Sequence, residues 1–243
     1  MNGILKYSLR ILAVASIGFT ASSFVESNSD SKHLFILSGQ SNMARLDINE
    51  TFTPTIINEF SSNKVLFVKD AKGGQPIRRW YKDWKSPSGE KSGLDTELYN
   101  KLLNKVNASI EGNDIKTVTF IWMQGERDAT ESYGEVYEES LKGLYNQLSR
   151  DLDRHDINFV IGRINDFDLE NEKKAHWTIV RDAQVEVAES NSKFDWVNTD
   201  DLNDGINNKG KKISNDLHMS VEGYKELGRR FANKSIRIIN NKH

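Results

Sequence analysis

The chain has 243 residues, 37% hydrophobic and 28% charged, with 33 lysines and arginines against 35 acids and a net charge of −2. This is an ordinary globular composition, long enough to bury a full core and without the basic surplus that nucleic acid calls for. With no cysteine, disulfides, thiolate metal sites, a cysteine nucleophile and a cysteine-linked lipid anchor are excluded.

The opening "MNGILKYSLRILAVASIGFTASSF" carries Lys6 and Arg10, an apolar stretch from Ile11 to about Ala21, then small residues. That is the plan of a secretory signal peptide, and the apolar run is short for a span of about 20 residues. We therefore expect a signal peptide over 1–22, a polar leader over 23–32 and a single domain over 33–243. The mature protein is expected to be secreted or periplasmic, without stable membrane association.

Apolar strand-like runs then recur at wide spacing: Leu34–Leu37, Val65–Val68, Val118–Trp122, Phe159–Ile164 and Trp196–Thr199. Helical patterns lie between most of them. Leu94, Leu98, Leu102 and Val106 fall about one turn apart, as do Val136, Tyr137, Leu141, Leu144 and Leu148. "EKKAHWTIVRDAQVEVAES" and "SVEGYKELGRRFANKSIRII" complete the set. Strands alternating with helices predict an α/β fold, a three-layer α/β/α sandwich around a parallel sheet. Such sheets bind ligands where the strands end. The segments after the runs are polar: "GQSN", "KDAKGGQ", "MQGERDA", "GRIND" and "TDDLNDG", followed by "SNDLHMS" before the last helix.

Ser41, where the first strand gives way to a helix start, reads either as a helix cap or as a nucleophile whose own N–H faces an oxyanion. Of the five histidines, His218 alone lies beside a carboxylate in a loop placed to reach this edge. It is a candidate base, or a solvated loop residue. Gly74 and Gln124 are candidate oxyanion donors; the alternatives are a plain turn for Gly73-Gly74 and a loop-organising hydrogen bond for Gln124. There is no HExxH and no histidine pair at ligand spacing, so neither a metal nor another cofactor is expected.

"GQSNM" (39–43), "GGQPIRRW" (73–80), "WMQGERDA" (122–129), "RDAQ" (181–184) and "DLHMSVEGYKELGRRFA" (216–232) occur in this order. Together they resemble the sialate O-acetylesterase-like carbohydrate esterases of the SGNH hydrolase superfamily. The resemblance implies a flavodoxin-like sandwich and hydrolysis of acetyl esters on sugars. It implies Ser41 as nucleophile and His218 as base, with Gly74 and Gln124 joining the Ser41 N–H in an oxyanion hole. Many SGNH enzymes place an aspartate three residues before the histidine. Here that position is Asn215, and Asp216 stands two before. Asp216 is our expected third member, because a carboxylate stabilises an imidazolium; Asn215 or a backbone carbonyl are the alternatives. Glu126 is a candidate catalytic carboxylate, and family context implies instead a buried loop organiser. Gln40, Asn42, Arg163 and Trp80 are candidate sugar contacts, with loop packing the competing role for the Trp80-Tyr81-Trp84 cluster and an ion pair for Arg163 and Arg181. The expected activity is a secreted serine esterase acting on O-acetylated saccharides. A non-catalytic carbohydrate-binding protein or a lipase or thioesterase of the same fold are the rival readings.

Overall fold

The computed structural model describes residues 30–241; the expected signal segment at 1–22 lies outside the described residues. The apolar runs form β1 (Lys32–Gly39), β2 (Val65–Ala71), β3 (Ile115–Met123), β4 (Asn158–Gly162) and β5 (Phe194–Val197). They make one sheet in the order β2-β1-β3-β4-β5, every neighbour parallel. Parallel strands need crossover connections, and helices supply them. α1 (Ser41–Arg45) and α2 (Phe52–Phe60) follow β1, α3 (Glu97–Ile110) follows β2, and α4 (Glu126–Thr130) and α5 (Tyr137–Asp151) follow β3. α6 (Trp177–Glu189) follows β4. A short antiparallel pair, β6 (Gly205–Ile206) and β7 (Lys212–Ile213), precedes the last helix, α7 (Val221–Asn240).

Successive strand residues point to opposite faces, which here divides the apolar runs between two cores. Leu34, Ile36, Phe120, Trp122, Phe159 and Ile161 pack with α3, α5 and α6. Phe35, Leu37, Ile121, Met123, Val160 and Val197 pack with α2 and α7. The result is the expected three-layer sandwich. Among the described residues no helix is long and apolar enough to cross a membrane.

Several boundaries differ from the sequence reading. β5 ends at Val197 rather than Thr199, whose hydroxyl instead donates to the Arg163 carbonyl at 2.6 Å. β4 stops at Gly162, and the Ile164 N–H is taken by the Gln184 side chain at 2.8 Å. Leu94 precedes α3 and is 42% exposed, so the buried stripe is Leu98, Leu102 and Val106. Helix α2 has no counterpart in the sequence reading. Pro54 falls in the first turn, where the missing N–H would have had no intrahelical acceptor.

Gly39 explains how the first and third strands meet. Its φ is +141°, and a Cβ there would lie 2.0 Å from the Met123 carbonyl oxygen. The ends of β1 and β3 thus touch where the strand order reverses, β2 lying on one side of β1 and β3 on the other. This switch point is where open α/β sheets bind ligands.

Candidate active site

Ser41 is the first residue of α1, at the end of β1. Its N–H is one of those a helix start leaves without an intrahelical acceptor. The far end of this short helix is held by the Lys69 ammonium, which donates to the carbonyls of Ala44 and Leu46. His218 arrives from the loop before α7 and sets Nε2 3.2 Å from Ser41 Oγ. Some 177 residues of chain separate the two. Burial lowers the imidazole pKa below its ordinary 6.5, and the nearby Arg45 charge lowers it further, against a smaller upward pull from Asp216. The ring is therefore neutral at neutral pH, as a proton acceptor must be.

Asp216 does not grip the imidazole. Its Oδ1 lies 3.9 Å from Nδ1, beyond hydrogen-bond reach, and accepts the His218 backbone N–H at 2.9 Å. The two-residue spacing explains this: a side chain two positions back closes an Asx turn on the backbone. Asn215, the alternative, has φ +46°, and its N–H donates to Asp204 Oδ1.

Asn42 and Gln40 flank the serine but face inward, 1% and 3% exposed. Asn42 Nδ2 donates to Glu126 Oε1 at 2.7 Å and to the Leu217 carbonyl at 3.3 Å, while its Oδ1 accepts from Tyr224 Oη at 2.8 Å. Gln40 Oε1 accepts from Gln124 Nε2 and from the Arg127 N–H, each at 3.1 Å. Each ties strand-end loops together, and the Asn42 amide donates both of its hydrogens within the protein. Glu126 is a buried organiser, and burial holds its carboxyl up at about 7. Asp128, fully buried beside it, is likewise pushed up to about 6 and accepts from the Ile77 N–H.

Gln124 is fully buried, and its Nε2 is surrounded by Asp128 Oδ2 at 2.6 Å and by Gln40 Oε1 and the Gln75 carbonyl at 3.1 Å. An amide has two hydrogens to donate, and these acceptors occupy both. Gln124 is thus corrected from oxyanion donor to the clip that fixes the turn at Gln75. That turn lies against Ser41: a Cβ on Gly73 would sit 3.6 Å from Ser41 Cβ. Gly74 follows at φ +69°, a conformation that favours glycine.

Two sugar-contact expectations are overturned. Trp80 is fully buried, edge-on to Trp122 with ring centres 5.3 Å apart, and Trp84 packs edge-on to Tyr133. These rings are core, so no pyranose can stack on Trp80. Arg163 is held by Asn198 and Asp200 and lies over the Trp196 ring at 4.6 Å. Arg181 shares the same Asp200 at 2.8 Å. The sequence reading missed Tyr224, Asn165 and Asn203, each of which bonds to the serine or histidine loops. The only signal was position: Asn165 and Asn203 lie in the polar segments after the fourth and fifth strands.

A serine at the switch point of a β2-β1-β3-β4-β5 sheet, facing a histidine from the last loop, defines a hydrolase fold of the SGNH type. A family model described as carbohydrate esterase, sialic acid-specific acetylesterase, matches residues 44–237. The chain belongs to that carbohydrate esterase family. Similar solved structures include a protein from Arabidopsis thaliana at 20% identity and TM-score 0.62, covering 85% of this chain and 98% of that one. NanS is similar at 14% identity and TM-score 0.62, covering 88% of this chain and 99% of its own. A carbohydrate acetylesterase from Xanthomonas citri is similar at 15% identity and TM-score 0.61, covering 86% of this chain and 57% of its own. At these identities the likeness is one of fold. No curated protein matches the chain.

Proposed function

We propose that this protein is a secreted serine esterase that removes O-acetyl groups from carbohydrates. The observation that carries the reading is the 3.2 Å approach of Ser41 Oγ to His218 Nε2 at the switch point of the sheet. His218 takes the Ser41 proton as Oγ attacks the acetyl carbonyl, and the tetrahedral oxyanion is held by N–H groups of Ser41 and Gly74. As the bond from the acyl carbon to the sugar oxygen breaks, the imidazolium returns its proton to that oxygen and the sugar leaves as the alcohol. Water, deprotonated by His218, then attacks the acetyl-enzyme and releases acetate and free Ser41. Asp216 supports the imidazolium by its charge at 3.9 Å rather than by a ring hydrogen bond.

Substrate class rests on the family and on what similar proteins are described as doing, which is carbohydrate acetylester hydrolysis. Delivery outside the cytoplasm rests on the Lys6/Arg10 and apolar pattern of residues 1–22, whose removal leaves one esterase domain over 33–243. The test is hydrolysis of p-nitrophenyl acetate and of a panel of O-acetylated glycans by wild type and Ser41→Ala. Burst release of p-nitrophenol that Ser41→Ala abolishes is expected. Binding of glycans without turnover would instead make the chain a carbohydrate-binding protein, and a preference for long acyl chains would make it a lipase or thioesterase.

A further inference from the structure

The base of this site lacks the ring contact that normally orients such a histidine, yet its ring stands in line with the serine. What holds it there is visible one and two residues upstream. The Asp216 carbonyl accepts from Asn165 Nδ2 at 3.1 Å and from Asn203 Nδ2 at 3.2 Å. The Leu217 carbonyl accepts from Asn42 Nδ2 at 3.3 Å and from Asn165 Nδ2 at 3.4 Å. Asp216 N–H returns a bond to the Asn203 carbonyl at 3.3 Å. Asn42, Asn165 and Asn203 are 1%, 1% and 2% exposed. They come from the ends of three different strands, β1, β4 and β5.

We propose that Asn42, Asn165 and Asn203 form a clamp that positions His218 through the carbonyls of Asp216 and Leu217, in place of a carboxylate on the imidazole. This rests on the esterase reading above. The clamp requires asparagine because carbonyls must be met by donors; aspartate has the same shape and only acceptors. Each amide is oriented by a further bond. Tyr224 Oη donates to Asn42 Oδ1, the Phe167 N–H donates to Asn165 Oδ1 at 3.2 Å, and Asn203 Nδ2 also meets Asp166 Oδ1 at 3.0 Å. Asn42 is also the covalent neighbour of the nucleophile. The path Ser41–Asn42···Leu217–His218 therefore fixes base against nucleophile with one hydrogen bond, donated by an asparagine that is itself 1% exposed. Asn42, Asn165 and Asn203 are positioning residues, since none touches the reacting atoms.

Asn165→Asp, Asn203→Asp and Asp216→Asn test the proposal, read by p-nitrophenyl acetate kinetics and by NMR of the His218 ring. Asp216→Asn keeps an oxygen for the His218 N–H and removes only the charge. Asn165→Asp is expected to lower kcat about 10- to 100-fold, as a misplaced catalytic group does, with KM within about twofold and the ring resonances displaced. Asp216→Asn is expected to cost less than about tenfold and to leave the Nδ1 proton resonance in place. The proposal is overturned if Asp216→Asn costs about 10⁴-fold, as loss of a ring-bound carboxylate does, while Asn165→Asp keeps more than half its activity. It is also overturned by a strongly deshielded Nδ1 proton in wild type that Asp216→Asn abolishes, and this readout holds even if an Asn→Asp variant does not fold. Undiminished hydrolysis by Ser41→Ala would sink the esterase reading instead, and the ring resonances would still decide the clamp.

Discussion

Replacing Glu126 by glutamine separates the ionisation of a buried carboxyl from everything else it does. Burial raises this group from 4.5 to about 7, while Asn42 Nδ2 donates to Oε1. In the unfolded chain it titrates near its ordinary value. Between those two values the folded protein holds the extra proton, so the group's contribution is complete below the unfolded value and is lost as pH rises towards 7. At 1.36 kcal/mol per pH unit, the loss between pH 5 and pH 8 is about 2–3 kcal/mol. Glutamine keeps an oxygen for Asn42 and cannot ionise. The variant should therefore gain about 2–3 kcal/mol on wild type between pH 5 and pH 8. Oε2 has no partner in the protein, so the new amide carries a cost, but that cost is the same at both pH values and cancels. Urea unfolding followed by tryptophan fluorescence at the two pH values measures the difference. An unchanged gap between the proteins, or one that narrows the other way, would refute a carboxyl destabilised by burial.

The remaining predictions concern His218, the strand junction and Trp80. Arg45→Gln should raise the His218 pKa and move the acid limb of kcat/KM to higher pH, since the base works only when neutral; Asp216→Asn should move it lower. Coincident profiles for wild type and both variants would refute the assigned causes. Gly39→Ala forces a Cβ onto the Met123 carbonyl at 2.0 Å, and should cost about 4 kcal/mol or more or prevent folding, as read by soluble yield and urea midpoint. Trp80→Ala should cost about 3–5 kcal/mol of stability as a core truncation while leaving KM for small acetate esters within about twofold. A large KM effect on glycans with stability intact would restore Trp80 as a sugar contact.

The chain order of apolar runs and glycine-bearing loops already implied the sheet and the polar edge where its strands end. This legibility is physical. A strand buried on both faces must be apolar throughout, as Phe35, Ile36 and Leu37 are, and the residue that follows it must be polar because the edge is wet. The approach of Ser41 to His218 was legible for the same reason, since both lie in loops that the strand pattern brings to one rim. Side-chain direction was not legible. Trp80, Asn42 and Gln40 are polar or aromatic residues beside the site and read as contacts, but they point into the protein. Whether an amide bonds a sugar or a carbonyl depends on which acceptor lies within about 3 Å.

What the sequence determined by itself is therefore local: which segments are strands, where glycine is required, and which groups have the chemistry to react. What only the tertiary structure decided is pairing between distant segments. Gln124 is committed to Asp128, Gln40 and the Gln75 carbonyl, Asp216 turns to a backbone N–H rather than the ring, and three asparagines from three strand ends converge on one loop. Hydrogen bonds are short and directional, so a partner many residues away is specified only when the packed sheet brings its atoms within reach.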